Sequence, residues 1–266
     1  MAEGFKMKKL VLALTAVAAL TGTASAADLA ARPYTKAAPM VMAPSWTGFY
    51  IFGGVGGGIW DADNSVRDTF TGTRLTTSQK QGGDGWFGTV GAGYDWQFNS
   101  SWVFGILADG QFGSLRGTVV DQFANISGTE KLRDTYAAGA RLGYLVAPNV
   151  LSYVNAGWTG SDWSGATLLT NVGTPSGIHT ASYNTNSGVF VGGGVENNLN
   201  IFGITAPGWF MKTEYRAAYF GTKNLNELTA ANALVGNDIS VKPFVQTIST
   251  SLVYRFNSGG PVVAKY

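Results

Sequence analysis

Between positions 85 and 98 the chain reads GWFGTVGAGYDWQF. Trp86, Val90, Ala92, Tyr94, Trp96 and Phe98 fall on even positions, and Thr89, Gly91, Gly93, Asp95 and Gln97 on odd ones. A period of two places the first set on one face of a β-strand and the second on the other. After a short turn at 99–101 the alternation resumes, with Trp102, Phe104, Ile106, Ala108 and Phe112 opposite Gly105, Asp109 and Gln111. A third run, 132–145, sets Tyr136, Ala138, Ala140, Leu142 and Tyr144 against Arg133, Thr135, Gly139, Arg141 and Gly143. Five further strands are predicted at 49–60, 151–160, 188–199, 209–220 and 244–256. That makes eight, and no Pro falls inside them, as a hydrogen-bonded ladder requires.

The connections alternate in length. Those at 61–84, 116–130, 161–186 and 222–242 are long and polar, whereas those near 99–101, 146–150 and 200–208 are short. Membrane barrels have this asymmetry, with short periplasmic turns and longer external loops. The faces opposite the aromatics carry mostly Gly, Thr, Ser and a few charges of both signs, a poor solvated surface but a workable packed interior. From Trp86 to Phe98 a strand runs about 40 Å at roughly 3.3 Å per residue. Tilted by about 40°, it rises near 30 Å, enough for an apolar band of roughly 25 Å. Trp86 and Phe112 then mark one interface, and Trp96, Phe98, Trp102 and Phe104 the other, as a double aromatic girdle. The fold expected is all-β: an eight-stranded antiparallel transmembrane β-barrel with short periplasmic turns and long extracellular loops.

Composition narrows the chemistry. Charged residues are 13% of the 266, about half the roughly 25% usual for soluble domains, and there is no Cys and one His. Disulfide frameworks, Cys-based zinc or iron–sulfur sites and multi-His metal centres are thereby excluded. A net charge of +2 gives no electrostatic claim on nucleic acid. Lys6, Lys8 and Lys9 precede an apolar run at 10–20 and then Ala24-Ser25-Ala26, the pattern of an export signal cleaved near Ala26. The expected organisation is a signal peptide at 1–26, a linker at 27–46 containing Pro33, Pro39 and Pro44, a barrel at 47–256 and a tail at 257–266. Its expected location is the outer membrane of a Gram-negative cell.

Trp46-Thr47-Gly48-Phe49-Tyr50-Ile51 with the following glycines, Ala27-Asp28-Leu29 after the signal, the closing Leu252-Val253-Tyr254-Arg255-Phe256 and the tail from Gly260 to Tyr266 form a recognisable set. They resemble the OmpA-like, opacity-type outer-membrane β-barrel family of alphaproteobacteria, which includes surface antigens and haemin-binding proteins. Phe52 stands where that family usually has Gly. The resemblance implies an eight-stranded outer-membrane barrel and no single activity, because members differ chiefly in their loops.

By parity Asp95, Asp109, Arg133, Arg141, Glu196, Lys212, Glu214 and Arg216 point into the lumen, with Arg255 a further candidate. Eight strands leave just enough room for side chains to fill, so these charges must pair. An internal network of Asp109, Arg141, Glu196, Lys212, Glu214 and Arg216 is expected, either as structural packing or as the gate of a narrow channel. The Gly clusters at 53–58 and 192–194 match neither a dinucleotide fingerprint nor a P-loop, and no nucleophile elbow is present. No enzyme activity is expected. Haemin binding would want an axial His or Tyr; His179 and Tyr183 are the loop candidates, and no other cofactor or metal is implied. Expected partners are outer-membrane lipid, lipopolysaccharide and the barrel insertion machinery. Nothing names a loop partner. The leading function is a non-enzymatic barrel serving envelope integrity and surface presentation of its loops; the alternatives are a small porin and a haemin-binding protein.

Overall fold

The computed structural model describes residues 45–201 and 204–256. The signal peptide, most of the linker and the 257–266 tail lie outside the described residues. In chain order the strands are β1 (Gly48–Asp68), β2 (Gln79–Gln97), β3 (Trp102–Asp121), β4 (Ile126–Ala147), β5 (Val150–Trp163), β6 (Thr167–Thr170), β7 (Pro175–Thr180), β8 (Tyr183–Ile201), β9 (Ile204–Tyr219), β10 (Lys223–Thr229) and β11 (Leu234–Arg255). Eight of them, β1-β2-β3-β4-β5-β8-β9-β11, form an antiparallel wall. It closes through β1 and β11, which pair from Tyr50↔Arg255 to Asp68↔Asn237. Below Val189↔Tyr219, closure leaves no free edge in the wall, as backbone spanning hydrocarbon requires.

The alternation sets the outside. Trp86, Trp96, Phe98, Trp102, Phe104, Ile106 and Phe112 are all exposed on the outer face, Trp86 by 80%. Tyr94 packs on Phe49 and Trp96 in the same belt. Phe98, Trp102, Tyr144, Trp209, Tyr254 and Phe256 complete the ring at the short-turn end. A second ring holds Trp86, Phe112, Tyr136, Trp158, Tyr219 and Phe244. Two of its polar tips are bonded within the protein: the Tyr136 hydroxyl donates to Asn186 Oδ1 at 2.8 Å and Trp158 Nε1 to the Asn186 carbonyl at 2.7 Å. Aromatic residues with a wet tip suit the boundary between hydrocarbon and headgroups.

The strands run much further than the periodicity predicts. The segments 61–84, 116–130, 161–186 and 222–242, expected as loops, are largely strand, and the connections at that end shrink to 69–78, 122–125, 164–182 and 220–233. The reason is a change of phase. Beyond the second aromatic ring the outer face meets water, so it carries Asp61, Asp63, Asp84, Arg116 and Lys242. The inner face becomes apolar, with Ala62, Val66, Leu115, Val119, Ile126, Leu132, Ile239 and Val241 buried. Read with the membrane phase, that inverted alternation looks like loop. The expectation that Pro avoids strands also fails: Pro243 lies inside β11, Pro207 inside β9, and Pro175 opens β7. Pro243 is tolerated where β11 changes partner, between Phe244↔Tyr219 on β9 and Val241↔Lys223 on β10.

The lumen is packed rather than open. At the short-turn end Trp46, Tyr50, Phe52, Val103, Leu151, Tyr153, Phe210 and Val253 form one apolar cluster. Trp46, assigned to the linker on sequence, belongs to this cluster, with its amide on Gln97 Oε1 at 3.0 Å and its indole on the Pro148 carbonyl at 3.3 Å. Phe52 projects inward, and Gly91 and Gly93 on β2 are what admit it and Tyr50: a Cβ there would lie 2.4 Å from the Phe52 ring or 2.3 Å from the Tyr50 hydroxyl. A second cluster includes Trp60, Phe87, Leu107, Leu115, Leu132, Trp163, Phe190, Phe220 and Val245. The third, built from Val119, Ile126, Ala166, Leu168, Leu225, Ile239 and Val241, sits under the small sheet of β6, β7 and β10 at the loop end.

Candidate functional site

The lumen charges gather into two groups. Arg141 on β4 donates from Nε to Asp95 Oδ1 at 2.9 Å, from Nη2 to Asp95 Oδ2, and from Nη1 to Glu196 Oε2 at 3.1 Å. Arg255 on β11 grips the same two carboxylates, with Nε on Glu196 Oε1 and Nη1 on Asp95 Oδ2, both 2.8 Å. The second group centres on Arg216, whose two terminal nitrogens each donate to Asp109 at 2.8 Å while Nη2 also reaches Glu214 Oε1 at 2.8 Å. Lys212 Nζ stands 3.7 Å from Glu214 Oε2, and the Tyr153 hydroxyl donates to that same oxygen at 2.8 Å. Four cations face four carboxylates, so the two groups together are neutral. Paired guanidinium forks are what make so many buried ions tolerable.

Aromatic faces hold the cations from the other sides. Arg141 lies over Tyr50 at 4.4 Å and Tyr153 at 5.1 Å, Arg255 over Trp46 at 4.3 Å, and Lys212 over Phe52 at 3.3 Å. Arg216 covers Phe190 at 4.5 Å. The first group is therefore embedded in the short-turn cluster, and the second bridges from Phe52 in that cluster to Phe190 in the next. Asp109, Arg141, Glu196, Lys212, Glu214 and Arg216 all lie here. Asp95 and Arg255 join them, and only closure of β1 on β11 brings Arg255 to Asp95, 160 positions away in sequence. Arg133 does not: it is exposed on the outer face. A bulge between Leu132 and Asp134 against β5, matched by one between Phe112 and Leu115 on β3, breaks the parity on which its inward placement rested.

Beyond the second aromatic ring the buried charges change character. Glu227 on β10 is buried beside Asp121 of β3 and Asp238 of β11, all carboxylates. Burial, then the charge of Asp121, push the Glu227 carboxyl up to about 8. An unfolded glutamate loses its proton near 4.5, so between that value and about 8 the unfolded chain releases a proton that the folded cap keeps. Cap stability therefore falls as pH rises through this window and is flat above it. Amide exchange in β10, corrected for intrinsic rate, is expected to be at least about tenfold slower at pH 6 than at pH 9, one pKa unit being a factor of ten. Glu227→Gln should exchange slowly at both pH values.

The two proposed haem-ligand positions are separated by their surroundings. His179 on β7 has Nε2 3.2 Å from Asn232 Oδ1. Tyr183 stacks on Trp163 at 5.8 Å and hydrogen-bonds Glu130. Among the described residues no group of three or more His, Cys, Asp or Glu is arranged to hold a metal ion.

The model of the outer membrane protein beta-barrel domain family matches residues 12–256. The chain belongs to this family of outer-membrane β-barrel proteins. Two similar relatives are the 31 kDa outer-membrane immunogenic proteins of Brucella melitensis and Brucella suis, each 27% identical over 255 residues covering 94% of this chain and 100% of theirs. Among solved structures, OprG of Pseudomonas aeruginosa aligns at 12% identity and a TM-score of 0.49, over 80% of this chain and 99% of that one. Neisserial surface protein A aligns at 18% identity and a TM-score of 0.38, over 79% and 98%. As an outer-membrane barrel the protein puts its short turns in the periplasm, its aromatic rings at the two lipid interfaces, and β6, β7 and β10 outside the cell.

Proposed function

We propose that this barrel is a non-enzymatic envelope protein that braces the outer membrane and holds its long strand extensions as a rigid platform for surface-exposed tips. The observation that carries this reading is the filled lumen: three apolar clusters in succession, with the neutral charge groups locked between and within them. A conducting pore would need a continuous wet path, and here Arg141, Asp95, Glu196 and Arg255 are each less than 5% exposed. The Brucella relatives are described as immunogenic; in this chain the tips at 69–78, 122–125 and 230–233 are the segments we propose are offered to antibodies or partners. Leu252 and Tyr254 of β11 and the adjacent Phe256 form the outward-facing pattern that we propose the insertion machinery reads.

Protein reconstituted in a planar bilayer is expected to give no discrete current steps at either polarity. Reproducible single-channel steps would overturn the reading in favour of a small porin. Haemin titration offers a second check, since spectra of wild type and His179→Ala are expected to coincide; a Soret band lost in the variant would instead make this a haemin-binding surface protein.

A further inference from the structure

Above Val189↔Tyr219 the wall parts. β8 continues upward paired only to β5, as far as Trp163↔Tyr183, while the chain leaving β9 crosses to β10, which pairs with β11 and β7. Between the two sides lies an open cleft of about 600 Å³, within the roughly 300–1,000 Å³ typical of small-ligand sites. Its charged lining is Arg133, Asp134, Asp162 and Lys223; Asn184 and Asn226 add neutral hydrogen-bonding groups, and the stacked Trp163 and Tyr183 rings form its floor. Among the described residues no ion pair or hydrogen bond engages the side chains of Arg133, Lys223, Asp134, Asp162, Asn184 or Asn226. Asp134 and Asp162 are direct cross-strand partners, a like-charge arrangement that costs stability unless something external satisfies it.

Height decides what reaches this cleft. Arg133 lies three residues beyond Tyr136 and Asp162 four beyond Trp158, while Lys223 pairs with Val241, three residues beyond Phe244 of the outer aromatic ring. At about 3.3 Å per residue and a tilt near 40°, those offsets put the cleft roughly 5–10 Å above the hydrocarbon boundary, in the headgroup layer. Two separated cations suit phosphate groups, and amides and carboxylates suit a dense set of sugar hydroxyls. A simple glycerophospholipid headgroup offers one phosphate and few hydroxyls, so it uses only part of this lining.

We propose that the cleft between β8 and β10 binds the phosphorylated saccharide headgroup of a lipopolysaccharide in the outer leaflet, with Arg133 and Lys223 on its phosphates and Asn184, Asn226, Asp134 and Asp162 on its hydroxyls. The site does not depend on what the loop tips present. It fixes the barrel to the glycolipid layer at a defined point on its circumference.

The chain has no Cys, so a single Thr222→Cys at the rim takes an environment-sensitive dye specifically. Full-length barrel refolded in detergent without glycolipid is titrated with purified lipopolysaccharide, with phosphatidylglycerol and with inorganic phosphate. Saturable emission change is expected with lipopolysaccharide alone. Arg133→Ala/Lys223→Ala should raise its half-saturation concentration at least about tenfold, whereas Lys80→Ala/Arg116→Ala, which removes equal charge on β2 and β3, should stay within about twofold; the conversion is 1.4 kcal/mol per tenfold. Asn184→Ala/Asn226→Ala, which leaves the charges intact, should also weaken binding. Equal losses in the two charge variants, no loss in either, or the same saturable response to phosphatidylglycerol or inorganic phosphate would overturn the proposal. Heat-dependent gel mobility equal to wild type certifies each variant as a closed barrel.

Discussion

Arg141→Ala is expected to lower the unfolding free energy of the barrel by about 3–5 kcal/mol, because it strips one of two guanidinium partners from a pair of carboxylates that stay buried. Asp95 and Glu196 are fully buried, and Arg141 supplies a fork to the first and a single bond to the second. Arg255 still touches both, so the loss is of one cation from a four-member group, leaving a net negative charge where water has no access. The ring contacts with Tyr50 and Tyr153 disappear as well. Urea titration in detergent micelles, followed by tryptophan emission, reads the change. Arg141→Lys keeps the charge but not the fork and should fall between alanine and wild type. A loss below about 1 kcal/mol for the alanine variant would mean that water hydrates the freed carboxylates, and hence that the lumen is wet at this level.

A larger effect is expected at the closing seam. Gly54 on β1 pairs with Ser251 on β11, and a Cβ added there would lie 2.2 Å from the Thr250 carbonyl oxygen and 2.5 Å from the Ser251 Cα. Both are backbone atoms, so no rotamer change relieves the overlap. The two strands would have to separate, and their ladder is what converts an open sheet into a barrel. Gly54→Val is therefore expected to abolish closure, a destabilisation beyond the roughly 4–5 kcal/mol that marks exceptional single substitutions. The unboiled protein should migrate on a gel like the boiled one. Gly57→Ala, three positions along, places its Cβ on the outer face no nearer than 3.7 Å to Trp86 and should fold normally. Normal heat-dependent migration of Gly54→Val would show that the seam has slack that close backbone approach does not suggest.

The readable and unreadable parts of this protein divide along the reach of the physical rule involved. Which face Trp96, Phe104 or Ile106 takes follows from the pleat alone, and each lies on the outer face as alternation requires. The same rule misplaces Arg133, because a bulge adds a residue and flips everything until parity is restored. It also stops short in the extracellular half. There Val119, Ile239 and Val241 turn inward and Asp63 and Lys242 outward, a pattern valid in water and opposite to the one used in lipid.

Pairing across the lumen is a matter of register and closure. Arg216 meets Asp109 over 107 positions, and Arg255 meets Asp95 over 160, with no local signal linking either pair. The cleft between β8 and β10 is still less visible in the sequence, since it exists only because β9 ends as a partner of β8 while β8 itself continues. The sequence by itself determined the strand class, the membrane-facing side and the set of charges that had to be buried, because each follows from a side chain and its near neighbours. The tertiary structure alone decided which of those charges pair, how far the strands rise beyond the lipid and where the wall opens. Those depend on how strands far apart in the chain are staggered against one another, a quantity that hydrogen bonds around the whole closed ring set together.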